Sequence, residues 1–411
     1  MKNNYSEITS SKLISWIIFL FSITIVLISF VSVVFPALIL VSNTEIIPEI
    51  ESVTPNSYET GIWSVGLIIS NVIVFSLTFL YFKNKIPLLI SSILKKLFVF
   101  EISKKVTFII VVILLTIYIS ISASELSSEE KFEDYKNVKN RLEVWSIDKV
   151  FQSFEPHARY FLISTSMTLF GNFKIIPFVA SIALLITTYF ITKTIAQKRF
   201  AGIVSMVILL QSNIFLTYDT SVAYTNFWIL FYLLSLFFVY KFWPLSPLSY
   251  LISISSKALT VMFLPMSIYF ILCSNISKNK KIILLSTLTG IILIGTIVSV
   301  STMDPISGEE ITSEEFDLKE FWMGFTSFSY QLRFDGLVIL FMIPLIVGLF
   351  LISKSGIKNA ESIMVLIAGM LLIAPILTAF TNQTNQPYRF VPLIVFFAMG
   401  VGALLSKRQV E

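Results

Sequence analysis

Apolar residues gather in runs near 13–41, 61–82, 106–124, 174–192, 201–218, 222–241, 246–273, 281–301, 335–353, 360–380 and 388–405. Most have roughly the 17–25 residues that a helix needs to span a hydrocarbon core about 30 Å thick. A membrane barrel would instead show alternating segments of about ten residues, a pattern this chain lacks. Helices satisfy every backbone N–H and C=O within one segment, so the runs predict an all-α, polytopic transmembrane helical bundle. The first run is too long for the core of a secretory signal and has no small-residue cleavage site, which predicts a retained helix.

The polar residues between the runs alternate in sign. Lys83, Lys85, Lys95, Lys96, Lys104 and Lys105 follow the second run. Lys193, Lys198 and Arg199 follow the fourth, Lys278, Lys280 and Lys281 the seventh, Lys354 and Lys358 the ninth, and Lys407 and Arg408 the last. The opposite loops hold Glu45, Glu49, Glu51 and Glu59, then the acids from Glu125 to Asp148, then Asp304, Glu309, Glu310, Glu314, Glu315, Asp317 and Glu320. By the positive-inside tendency the basic loops are cytoplasmic. The alternation requires 246–273 to be a tight helical pair with Lys257 near its outer tip. It then predicts about twelve crossings with both termini cytoplasmic.

Two segments fit this scheme differently. Arg159 to Gly171 is apolar but only roughly 20 Å long as a helix. It is either re-entrant or interfacial, or it crosses and reverses the helices that follow; the basic cluster at 193–199 favours the first. Residues 84–105 mix Leu88, Leu89, Ile93 and Leu97 with Lys95 and Lys96, and predict an amphipathic helix on the cytoplasmic surface. The expected division is therefore an N-terminal part, 1–105, and a transmembrane module, 106–411, with outer loops near 125–158 and 302–333.

Composition agrees. Of 411 residues, 55% are hydrophobic and 13% charged, against about 25% charged in a soluble domain. The single cysteine, Cys273, excludes an internal disulfide, and the single histidine, His157, excludes a multi-histidine metal site. A net charge of +5 gives no sign of a nucleic-acid partner.

Candidate chemistry lies at the predicted outer mouths. In the loop 125–158, Glu129, Glu130, Glu133 and Asp134 are carboxylates at a membrane boundary, able to take a proton from a hydroxyl; equally, a solvated acidic loop would simply enforce topology. Arg159 and Arg389 lie outside against the positive-inside tendency, so each asks for an anionic partner, a protein carboxylate or a lipid phosphate. Lys257 stands in an apolar hairpin, where an ionisable group is functional or snorkels to the interface. His157 begins the segment that carries Arg159, and Tyr388 precedes Arg389; a hydrogen-bonded interfacial histidine is the plainer account of the former.

Taken in order, these features resemble the GT-C superfamily of integral-membrane glycosyltransferases, which includes protein O-mannosyltransferases and aminoarabinose transferases. The resemblance covers about 106 to 405. It rests on a helix leading into an acidic outer loop and on Glu155-Pro156-His157-Ala158-Arg159-Tyr160, similar to a His-Pro-Pro-Leu segment. Leu169-Phe170-Gly171, the basic turn Lys198-Arg199-Phe200-Ala201-Gly202, Tyr218-Asp219 and the Lys257 hairpin before Leu264-Pro265 continue the series. Tyr388-Arg389-Phe390-Val391-Pro392 ends it, close to an Arg-Tyr-x-x-Pro pattern. Glu129-Glu130 and Glu133-Asp134 stand where such enzymes carry an Asp-Glu or Asp-x-Asp motif, and Asn226 stands where they often carry an acid.

The resemblance implies an inverting glycosyltransferase at the outer face of the cell membrane. Its donor would be a polyprenyl-phosphate-linked sugar, and its acceptor a glycan, lipid or protein. Glu133 or Asp134, then Glu129 or Glu130, would be the base; His157, Arg159, Lys257, Tyr388 and Arg389 would bind substrate. No metal ligand set is assigned, and a divalent metal ion held by two acids is the one cofactor left open. The alternatives are a secondary transporter of twelve helices, and a non-catalytic scaffold with the GT-C fold.

Overall fold

A computed structural model describes residues 2–36, 58–83, 85–146, 156–302, 315–380 and 386–406. Several expected features fall outside them, among them Glu45, Glu49, Glu51, Asp148, Glu155, Asp304, Glu309, Glu310, Glu314, Lys407 and Arg408.

The described residues form helices and no strands. In chain order these are α1 (Lys2–Val34), α2 (Ser64–Phe82), α3 (Leu88–Val99), α4 (Lys104–Leu126), α5 (Asp134–Val144), α6 (His157–Phe170), α7 (Ile175–Ala196), α8 (Arg199–Leu210) and α9 (Asn213–Tyr218). They continue with α10 (Phe227–Lys241), α11 (Leu245–Ser256), α12 (Leu264–Cys273), α13 (Lys278–Thr302), α14 (Leu318–Gly324), α15 (Thr326–Gln331), α16 (Gly336–Lys354), α17 (Asn359–Phe380) and α18 (Val391–Leu404). Single 3₁₀ turns cover Ala258–Phe263 and Pro387–Phe390.

Among the described residues, seven helical stretches are long and apolar enough to cross a membrane: Leu13–Val34, Ser64–Phe82, Lys104–Leu126, Ile175–Ala196, Gly336–Lys354, Asn359–Phe380 and Pro387–Leu404. Each coincides with a predicted apolar run. Their packing suits a lipid surround. The apolar α2 buries only Ser64 and Leu67, leaving Val65, Ile68, Ile69, Val72 and Ile73 exposed. Contiguous apolar surface of that extent is rare on a protein that faces water. By contrast, α18 is buried along nearly all its length and forms a core.

Three predicted runs are interrupted, each for a local reason. The run 201–218 breaks at Gln211, and Ser212 starts a new helix by accepting the Phe215 amide on its hydroxyl at 3.1 Å. The run 222–241 becomes helical only at Phe227, after a polar, non-helical stretch. The run 246–273 divides at Lys257, which is extended (φ −163°, ψ 116°) between α11 and the 3₁₀ turn that leads to Pro265 at the start of α12. That break falls where the charge alternation puts the tip of a pair.

The chain forms two compact units, one of residues 1–101 with 312–411 and one of 102–311. In the first, Glu361 in the opening turn of α17 accepts hydrogen bonds from Ser15 of α1 and Ser353 of α16. Trp63 donates its indole N–H to the Arg333 carbonyl at 2.8 Å, and Phe19 stacks on Phe350 at 4.2 Å between centroids. In the second, α7 and α8 pack closely at Gly202, where a Cβ would come within 2.7 Å of the Tyr189 carbonyl oxygen. Only glycine allows that approach. Helix α6 ends on Gly171 with φ 66°, the left-handed cap that favours glycine.

Candidate functional site

Eight residues separate α9 from α10: Asp219, Thr220, Ser221, Val222, Ala223, Tyr224, Thr225 and Asn226. Ser, Thr, Asp and Asn offer the backbone hydrogen bonds that compete with a helix, so the stretch stays irregular although apolar runs flank it. All of it except Tyr224 is buried. Buried irregular backbone requires partners, and beside membrane-length helices it occurs where protein or a cavity surrounds it.

The partners come from the acidic loop. Glu130 accepts from the Ser221 hydroxyl at 2.7 Å and from the Val222 amide at 3.2 Å. Asp134 accepts from the Tyr224 hydroxyl, and Glu125 from the Thr220 hydroxyl at 3.2 Å. Phe132, between these acids, packs against Tyr218 and Tyr224, the three ring centroids lying 5.0–5.6 Å apart. Further along the chain, Arg159 in the first turn of α6 donates to the Val222 carbonyl at 3.2 Å and the Ala223 carbonyl at 2.5 Å. Beyond the segment, Lys257 holds its ammonium 4.8 Å from the ring centroid of Trp228, the second residue of α10. Glu130, Asp134, Arg159 and Lys257 thus all contact the stretch from Ser221 to Trp228.

The remaining predicted positions differ. The side chains of Glu129 and Glu133 are exposed. His157 accepts from the Trp145 indole N–H at 3.2 Å, a hydrogen-bonded position of the plainer kind. Arg389 and Tyr388 belong to the other unit, in the 3₁₀ turn before α18, with the guanidinium 5.9 Å from the Tyr388 ring.

Two residues to which sequence reasoning assigns no site role also bear on this arrangement. Lys174, just before α7, is buried and donates to the carbonyls of Glu125, Ser128 and Glu129 at 3.1, 2.9 and 3.4 Å. It satisfies carbonyls at the end of α4, as a cation at a helix C-terminus does. With its three donors so directed, it faces Glu130 as a charge at 3.9 Å, and that carboxylate is 3% exposed. Its position at the edge of an apolar run makes it look like an ordinary flanking lysine.

Asp219 is the second. Its Oδ2 accepts from Ser122 of α4 at 2.7 Å, and its backbone carbonyl accepts from Ser181 of α7 at 2.7 Å. Ser181 in turn accepts from Asn226 at 3.0 Å. Oδ1 closes no hydrogen bond of good geometry; the Tyr118 hydroxyl interacts with the carboxylate electrostatically without closing one either. Burial is the largest influence on this carboxyl, and with the charge of Glu125 it outweighs the hydroxyl dipoles of Ser122 and Tyr118 and pushes the group up to about 6. The signal in the sequence was the polar run Asp219-Thr220-Ser221 between two apolar runs, with Thr225 and Asn226 following close after it.

The arrangement offers a half-exposed edge, at Asp134 and Tyr224, beside a deeper zone of fixed charge. At the other end of the same helices, Arg199 donates to the Ile102 carbonyl at 2.8 Å, next to Lys198, Lys104 and Lys105 in sequence. The acids Glu125, Glu130 and Asp134 thus gather at one end of α4, with Lys174 and Arg159 among them, and Lys104, Lys105 and Arg199 lie at the other. Among the described residues no group of three or more His, Cys, Asp or Glu could hold a metal ion. In comparisons with known proteins, no family model, no curated protein and no solved structure matches the chain.

Proposed function

We propose that this protein is a GT-C-like membrane glycosyltransferase that takes a sugar from a polyprenyl-phosphate donor at the outer face of the cell membrane. The observation that carries the reading is that two carboxylates of one loop and Arg159 contact the irregular stretch between α9 and α10, and that Lys257 contacts Trp228 just beyond it, three separate places in the sequence. In this reading the chain crosses about twelve times with both termini inside, and the acidic end of α4 faces out.

The chemistry follows from the charges. An acceptor hydroxyl oxygen attacks the anomeric carbon from the side opposite the phosphate. The bond from that carbon to the phosphate oxygen breaks with inversion. Asp134, at the exposed edge, takes the hydroxyl proton. Polyprenyl phosphate departs with the electron pair, and Arg159 and Lys257 stabilise its charge. Glu130, held by Ser221, Val222 and Lys174, positions the segment.

One observation favours a second reading, a scaffold with the same fold and no catalysis: Glu130 and Asp219 are engaged inside the protein. The test that separates the readings uses purified protein in liposomes with a radiolabelled polyprenyl-phosphate sugar. Transfer that is lost in the Glu133→Ala, Asp134→Ala double variant, with insertion intact, supports the enzyme. Absence of donor consumption by the wild-type protein supports the scaffold, and solute movement without donor consumption establishes a transporter.

A further inference from the structure

Helix α3 buries none of its residues. On a helical wheel Ser91, Ser92, Lys95 and Lys96 fall on one arc, which the terminal residues Leu88 and Val99 share, and Leu89, Ile90, Ile93, Leu94, Leu97 and Phe98 occupy the rest. Leu89 is 71% exposed and Ile93 56%, on the side of that apolar arc that the protein leaves open. Burying such a surface is favourable, and none of the described residues in the helix's own unit does it.

Charge and tether define what can. Between Lys83 and Lys105 the chain carries Lys83, Lys85, Lys95, Lys96, Lys104 and Lys105 against the single acid Glu101. Residues 83–87 are all that join α3 to the end of α2, a helix apolar enough to cross a bilayer. The six steps from Phe82 to Leu88 reach at most about 22 Å, so the start of α3 stays within that distance of the membrane end of α2. A soluble partner would need to bring anionic charge to this place; an acidic leaflet has it there already.

We propose that α3 is an interfacial helix that binds anionic lipid, its Leu89 and Ile93 side in the acyl boundary and Lys95 and Lys96 against the headgroups. The geometry has the features of surface-lying helices, whose attachment sums buried apolar area and attraction of each lysine to acidic headgroups. It holds whatever the second unit catalyses.

The test uses the full chain in vesicles of phosphatidylcholine alone or with phosphatidylglycerol. In a Cys273→Ser background, spin labels are placed at Leu89→Cys, Ile93→Cys and, on the polar arc, Ser92→Cys. The expected result in acidic vesicles is that positions 89 and 93 relax with oxygen, enriched in lipid, and position 92 with a water-soluble nickel chelate. Lys95→Glu with Lys96→Glu is expected to cut the ratio of docked to undocked helix by roughly tenfold or more. Equal aqueous access at all three positions would overturn the proposal. So would lipid exposure that depends neither on phosphatidylglycerol nor on the lysines, and so would shielding from both reagents, which would mean that protein covers this face.

Discussion

At the scale of single residues, Asp219 is the position whose surroundings most change its chemistry. It is 1% exposed, and burial holds its carboxyl near 6 against an ordinary 3.8. A folded-state value above the unfolded one means that the folded protein holds the proton more tightly. The stability it lends is therefore complete below about pH 4 and lost as pH rises through about 6, an effect of roughly 2–3 kcal/mol for a shift of this size. Thermal unfolding in detergent between these limits should show the wild type falling with pH and Asp219→Asn staying flatter. A variant with the same slope as the wild type would place the titrating group elsewhere. The same carboxyl explains why polar residues persist here: Ser122, Ser181 and Asn226 each serve it or its backbone, directly or through one another.

At the scale of elements, the seven described stretches long and apolar enough to cross a membrane were legible because length and apolar composition alone define such a helix, and neither depends on distant contacts. The interruptions in 201–218, 222–241 and 246–273 were not legible, because each depends on what a polar side chain finds in the folded protein. The Asp219–Asn226 segment stays irregular because Glu125, Glu130 and Arg159 are there to receive it. Of the candidate site, Arg159 and Lys257 were legible as cations out of place, and Glu130 and Asp134 as carboxylates at the predicted membrane boundary. Lys174 was not, since flanking lysines at helix ends are commonplace. Its role belongs to this scale, as it ties the turn after α4 to the start of α7. Lys174→Met should lower stability by roughly 3–5 kcal/mol, the cost of leaving the Glu130 charge buried without its counterion. Adding Glu130→Gln should restore part of the loss. A single variant that unfolds like the wild type would show that Glu130 does not depend on this lysine.

At the scale of the whole molecule, the chain is a helical protein in two compact units whose apolar helices suit a bilayer. The first unit has a core on α18 and a nearly unburied apolar helix, α2. The second gathers acids, with Lys174 and Arg159, at one end of α4 and has Arg199 at the other. Polarity of this kind gives a membrane protein a sidedness in its chemistry as well as in its topology. The functional reading rests on the acidic end, where Asp134, Glu130 and Arg159 meet one irregular segment and Lys257 lies against Trp228 beyond it. The most direct test is saturable binding of a polyprenyl-phosphate sugar to the purified protein, compared with Arg159→Gln and Lys257→Gln. The account predicts binding by the wild type and a loss of roughly tenfold or more in each variant, as expected when a charged partner of a phosphate is removed. No binding by the wild type, or equal binding by all three proteins, would contradict it.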